Sequence, residues 1–132
     1  MEYNELIQKA LECREFAYVP YSNFKVGAAV LMDDDSVYTG CNIENASYGA
    51  TNCAERTAIF KAVSEGRRDI KAIAIVGDKE NYTAPCGICR QVIQEFAKED
   101  TDIILAKDKN DYIIKKMKEI LPEAFSKNNL IK

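Results

Sequence analysis

Histidine and tryptophan are absent from the 132 residues. Without an imidazole, metal binding and acid–base chemistry fall to thiols and carboxylates. A surplus of positive charge is missing too: 18 Lys and Arg stand against 21 Asp and Glu, for a formal net charge of -3. Proteins that track a phosphate backbone need clustered cations to release counterions. The densest basic run here, Lys115-Lys116 with Lys118, is followed at once by Glu119 and reads as a solvated face. No nucleic-acid partner is expected. Apolar runs long enough to span a bilayer are also lacking, and Met1-Glu2-Tyr3-Asn4-Glu5 has neither the charge nor the apolar stretch of a signal peptide. The expectation is a cytoplasmic protein with no membrane partner.

What is present suits one folded domain over residues 1–132. With 47% hydrophobic and 30% charged residues, no repeat and no low-complexity tract, one core can form. Five cysteines stand at positions 13, 41, 53, 86 and 89. In a reducing compartment such an odd set serves as ligands, catalysts or core fillers more readily than as disulfides.

Apolar spacing predicts a first helix capped by Asn4, carrying Leu6, Ile7, Ala10, Leu11 and Ala17, and stopped by Pro20. Cys13 on that helix has no second thiol or acid near it in sequence and reads as a small packing residue. Phe24 to Met32 and Val37 to Glu44 predict a hairpin around Asp33-Asp34-Asp35-Ser36, with Cys41 as core. Gly27 with Ala28-Ala29 predicts that another element packs closely on the first strand. Asn52 is read as the cap of a second helix, from about Cys53 to Ser64, which ends at Gly66. Ile70 to Val76 predicts a strand buried on both faces. A third helix opens at Cys86 or Gly87, followed by strands at Ile103 to Ala106 and Tyr112 to Ile114 and a short helix from Met117 to Leu121. The pattern is α/β, a single sheet with helices packed on it.

Both cysteine motifs, Cys53-Ala54-Glu55-Arg56 and Pro85-Cys86-Gly87-Ile88-Cys89, fall at loop-to-helix junctions. Three thiolates would leave zinc an open coordination position for water, as catalytic sites do. Glu55, two residues from Cys53, is then the candidate general acid and base beside that position. On its own it reads as a glutamate favoured by the helix dipole. An all-thiolate zinc is too negative to acidify water well. Two helix N-termini, each equivalent to about +0.5 charge, and Arg56 can offset that excess.

Cys53-Ala54-Glu55 with Pro85-Cys86-x-x-Cys89 resembles the signature of the zinc-dependent nucleobase deaminases. The likeness extends over Tyr21-Ser22-Asn23-Phe24-Lys25-Val26-Gly27-Ala28, Thr39-Gly40-Cys41-Asn42-Ile43-Glu44-Asn45, Asn52 to Ala58, Pro85 to Gln91 and Leu121 to Ser126, nearly the whole chain. The sequence is similar to the small homotetrameric cytidine deaminases. That resemblance implies a three-layer α/β/α sandwich with one mixed five-stranded sheet. It also implies one Zn2+ per subunit on Cys53, Cys86 and Cys89, Glu55 as proton shuttle, and hydrolysis of cytidine and deoxycytidine to uridine and deoxyuridine with loss of ammonia. Phe24 would stack on the pyrimidine, the Ala54 N–H would read the base carbonyl, and Asn42 and Glu44 would hold the sugar hydroxyls. Tyr48 and Phe125 match positions that reach a neighbouring subunit's site, so the homotetramer would complete each site.

Three other readings compete. A thioredoxin-like dithiol enzyme would use Cys86 and Cys89 and leave Cys53 and Glu55 idle. A structural zinc site would need a fourth ligand. A blasticidin-S-type deaminase shares the zinc motifs, although the Asn42-Ile43-Glu44-Asn45 run and Phe125 favour cytidine.

Overall fold

The computed structural model describes residues 1–131. Its elements are α1 (Tyr3–Arg14), β1 (Gly27–Met32), β2 (Val37–Cys41), α2 (Ala54–Ser64), β3 (Ile70–Val76), α3 (Gly87–Phe96), β4 (Asp102–Asp108), β5 (Asp111–Lys116) and α4 (Met117–Ile120). The five strands form one mixed sheet in the order β2-β1-β3-β4-β5. Only β3 and β4 run parallel, joined through α3, while β1 pairs antiparallel with both β2 and β3.

Strand alternation divides the core between two faces. On one, Leu6, Ile7 and Ala10 of α1 pack on Ala29, Leu31, Ala74 and Ile104. On the other, Ala54, Ala58, Ile59 and Ile93 of α2 and α3 pack on Ala28, Val30, Ile73 and Ile103. Each fully buried isoleucine contributes about 1.5–3 kcal/mol relative to exposure. The result is an α/β/α sandwich.

The small residues of β1 set how closely α1 can lie. A β-carbon on Gly27 would stand 2.0 Å from the Ala10 carbonyl oxygen, so α1 is the closely packed element that Gly27 and its alanine neighbours foretold. Gly66 ends α2 as expected: at φ +88° its N–H reaches the Val63 carbonyl at 3.0 Å, and Arg67 N–H reaches that of Ala62 at 2.9 Å.

Several boundaries differ from the sequence reading. Asn4 lies inside α1, Glu2 takes the cap position without a side-chain cap bond, and the helix ends at Arg14. β1 begins at Gly27 because the Asn42 amide occupies the segment before it, accepting from Val26 N–H at 2.9 Å and donating to the Phe24 carbonyl at 2.8 Å. β2 stops at Cys41, and Ile43 bridges to Tyr18 and Asn52 instead of extending the ladder. Asn52 is not the cap of α2; Cys53 is, at φ -75° and ψ 158°, while the Asn52 amide donates to Thr57 Oγ1 at 3.0 Å. β4 and β5 run longer than their apolar centres, and short turns of helix at Tyr48–Ala50 and Lys127–Asn129 join the expected elements.

Candidate active site

Cys53 caps α2 and Cys86 caps α3, so two helix N-termini open toward one point. Cys89, one turn into α3, completes a group whose three sulfurs all lie within 4.8 Å of one another. The Cys53 and Cys86 sulfurs are 3.8 Å apart. A tetrahedral zinc with bonds of about 2.3 Å to sulfur requires an edge of about that same length. All five cysteines are free thiols, so the donors fit zinc in both number and chemistry.

The helix start is braced from behind. Thr57 Oγ1 accepts from Asn52 and donates to the Cys53 carbonyl at 3.1 Å, and Arg90 Nε donates to the Pro85 carbonyl at 2.8 Å. Neither Thr57 nor Arg90 stood out in the sequence as a site residue. Their only signal was their place in the motif runs.

Electrostatics among the three thiols is uneven. A hydrogen bond from Cys89, with Arg56 and Cys86 adding to it against burial, brings Cys53 down to about 5. Cys89 keeps the shared proton and is pushed far up. Arg56 Nη2 donates to Cys53 Sγ at 3.4 Å, putting the guanidinium against the thiolate. Its Nε is buried without an acceptor.

Glu55 is 4% exposed beneath the cysteines and lies outside the group of ligand atoms. Burial chiefly, against hydrogen bonds from its own backbone and from Cys89, raises its carboxyl to about 7. A group with that value can both take and return a proton near neutrality. Ala54, fully buried, is the first helical residue of α2, so its N–H has no intrahelical acceptor.

A second set of side chains adjoins the first through the backbone. Ile43 and Asn52 exchange paired N–H···O bonds of 2.9 Å, which holds the Asn42–Glu44 segment beside Cys53. The Phe24 ring lies over Gly77, where a β-carbon would stand 2.8 Å from its Cζ. Glu44 accepts from the N–H groups of Tyr21 at 3.0 Å and Ser22 at 3.1 Å, and from the Ser22 hydroxyl. Tyr48 meets Tyr21 edge-on with ring centres 6.2 Å apart, and both line a hollow of about 380 Å³ with Ser22, Glu44 and Thr51. Phe125 is not brought to that hollow. Its carbonyl accepts from Gln91 Nε2 at 2.8 Å, and its ring lines a different one with Glu95, Leu130 and Ile131.

Cys13 and Cys41 stay outside the site. Burial pushes the Cys41 thiol up, and Cys13, distant in sequence, lies beside it and adds to the effect.

Comparison with known proteins points to one family. Residues 1–105 match the family described as the cytidine and deoxycytidylate deaminase zinc-binding region. The chain is 54% identical over 130 residues to the cytidine deaminase of Halalkalibacterium halodurans, covering 98% of both chains. It is 52% identical to that of Sporosarcina psychrophila, covering 98% of this chain and 96% of the relative. The crystal structure of cytidine deaminase from Burkholderia pseudomallei superimposes with a TM-score of 0.89 at 48% identity, over 95% of this chain and 100% of that one.

Proposed function

This chain belongs to the cytidine and deoxycytidylate deaminase family, and on that premise we propose that it hydrolyses cytidine and deoxycytidine to uridine and deoxyuridine with release of ammonia. The observation that carries the reading is the buried Glu55 carboxyl set against three convergent cysteine sulfurs. Cys53, Cys86 and Cys89 would hold one zinc ion. Bound there, zinc supplies a Lewis acid that brings the pKa of water from about 15.7 toward about 7.

The remaining steps belong to the chain. Glu55 takes a proton from the attacking water and gives it to N3 of the cytosine ring, and the second proton leaves with the amino group as ammonia. The Ala54 N–H holds the base carbonyl and Phe24 stacks on the ring. Asn42 retains one amide hydrogen and one acceptor site beyond its two backbone bonds. With Glu44 it takes the sugar hydroxyls. The charge of Glu44 opposes a phosphate on the same sugar. Arg56 offsets the negative charge of the thiolates.

The working unit is a homotetramer of single-domain subunits over residues 1–132. Phe16, Tyr48, Phe60 and Phe125 are 80%, 78%, 47% and 60% exposed, a large apolar area that contacts between subunits would cover, with Tyr48 and Phe125 reaching a neighbour's site. Among the described residues no helix is long and apolar enough to cross a membrane. The tetramer is assigned to the cytoplasm. A dithiol redox role for Cys86 and Cys89 is disfavoured because Cys89 is fully buried and the third thiol would have no task.

Ultraviolet assay of the purified protein tests metal, substrate and reaction together. Cytidine and deoxycytidine are expected to be deaminated, activity to vanish with a zinc chelator and return with zinc, and cytidine monophosphate to be left intact. No turnover of either nucleoside by zinc-loaded protein would refute the assignment.

A further inference from the structure

The Glu44 carboxylate is nearly saturated by one short loop. Oε1 accepts the N–H groups of Tyr21 and Ser22, and Oε2 accepts the Ser22 hydroxyl hydrogen. The same Ser22 oxygen accepts the Phe24 N–H at 3.1 Å. Asn23, between them, has φ 56°, a left-handed conformation that asparagine tolerates and that folds residues 22 and 24 onto one hydroxyl. Among the described residues no Lys or Arg makes an ion pair with Glu44, so neutral donors alone fix its orientation. The Ser22 hydrogen bond is also the main reason that its carboxyl sits below the ordinary range, fully ionised at neutral pH.

A carboxylate offers about four acceptor sites. Three are taken here, and the one left is on Oε2. We propose that Ser22 is a positioning residue for the nucleoside sugar: its hydroxyl fixes the Glu44 carboxylate relative to Phe24 and leaves it one acceptor site for one sugar hydroxyl. This rests on the reading of Glu44 and Phe24 as nucleoside contacts. Removing the Ser22 hydroxyl frees Oε2 to rotate and to accept from water, so the sugar is bound less well while the proton chemistry at Glu55 is unchanged.

The test uses zinc-loaded protein with cytidine, 2′-deoxycytidine and 3′-deoxycytidine, comparing the parent with Ser22→Ala and Ser22→Thr. In the parent, one of the two deoxynucleosides is expected to show KM raised about 10-fold, the loss of one hydrogen bond to a charged group. Ser22→Ala is expected to raise KM for cytidine about 10-fold with kcat within about 2-fold, and to add under about 2-fold for the nucleoside that already lacks the recognised hydroxyl. Ser22→Thr, which keeps a hydroxyl, restores the parent values. Ser22→Gly removes the same group on a different backbone and must reproduce the split, with zinc content and Tm recorded for each variant. A parent that treats all three nucleosides alike overturns the reading of Glu44, and Ser22 falls with it. A parent that discriminates while Ser22→Ala leaves KM unchanged, or lowers kcat in parallel for every substrate, overturns the role of Ser22 alone.

Discussion

Gly40 on β2 lies against the first turn of α2, so close that a β-carbon on it would stand 2.5 Å from the Ala54 carbonyl oxygen and 2.5 Å from the Ala58 nitrogen. Both obstructing atoms are backbone and cannot swing aside. The helix that carries Cys53 and Glu55 is therefore seated by the absence of a side chain on the strand beneath it.

Gly40→Ala should displace that helix start. Overpacking of this kind costs about 1–3 kcal/mol, and the same shift moves Cys53 away from Cys86. A lowered Tm together with weaker zinc retention is expected. Gly49→Ala, at a position with nothing within 4 Å, serves as the control and should leave Tm unchanged. An unaltered Tm for Gly40→Ala would mean that α2 is not held at this contact.

Glu55→Gln keeps the shape of a side chain that is 4% exposed and removes only its ability to carry a proton. Turnover of cytidine is expected to fall by at least about 100-fold, the usual worth of a positioned acid–base group. Zinc content, measured by elemental analysis, should equal the parent's because Glu55 supplies no ligand atom. Near-parent turnover would remove Glu55 from the reaction.

The metal trio was legible in the sequence because zinc chemistry imposes residue type and number, and the two motifs fall at helix starts that the apolar spacing already marks. The small residues of β1 were legible for a similar reason, since a close approach demands glycine or alanine. Positions where a side chain replaces a backbone partner were not. Asn42 bonds through its amide to Phe24 and Val26, which makes β1 begin late, at Gly27, and Asn52 turns to Thr57 rather than capping α2. These three bonds join residues whose nearness depends on the finished fold or on a choice between two local partners. Ser22 is the clearest such case: it was visible as part of a motif run, but its partner Glu44 is 22 residues away.

Arg56→Gln tests the charge balance at the site. The guanidinium donates to Cys53 Sγ at 3.4 Å while its Nε is buried without an acceptor, so the replacement removes both a cation beside the thiolate and an unsatisfied donor. Zinc affinity is expected to drop about 10-fold, as is common when a group supporting a ligand is lost. The Tm of the metal-free protein should hold, because an orphaned donor costs stability where it stands. Competition with a chromogenic chelator reads the first and a thermal melt the second. Unchanged zinc affinity and turnover would leave Arg56 without the assigned task.

Stability should fall at both ends of the pH scale through one cluster far from the cysteines. Asp102 accepts from the Tyr3 hydroxyl at 2.5 Å and from Lys116 at 2.5 Å, tying α1 to the β4–β5 ladder. Burial raises the Asp102 carboxyl, but the bonds from Lys116 and Tyr3 outweigh it and hold the group below its ordinary 3.8. Its contribution is complete above 3.8 and is lost as pH falls below that value. Tyr3 behaves in the opposite sense. Burial, then the bond to Asp102, raises its hydroxyl from 10.0 to about 12, so its contribution is complete below 10.0 and is lost as pH climbs toward 12. Tyr3→Phe removes the Tyr3 titration and the share of the Asp102 effect that the Tyr3 bond supplies, leaving the Lys116 bond in place, at a cost of about 1 kcal/mol near neutral pH. The difference in Tm between parent and variant, measured across the range, should be widest between these limits and close at each end. A constant difference would show that Tyr3 contributes only by packing its ring.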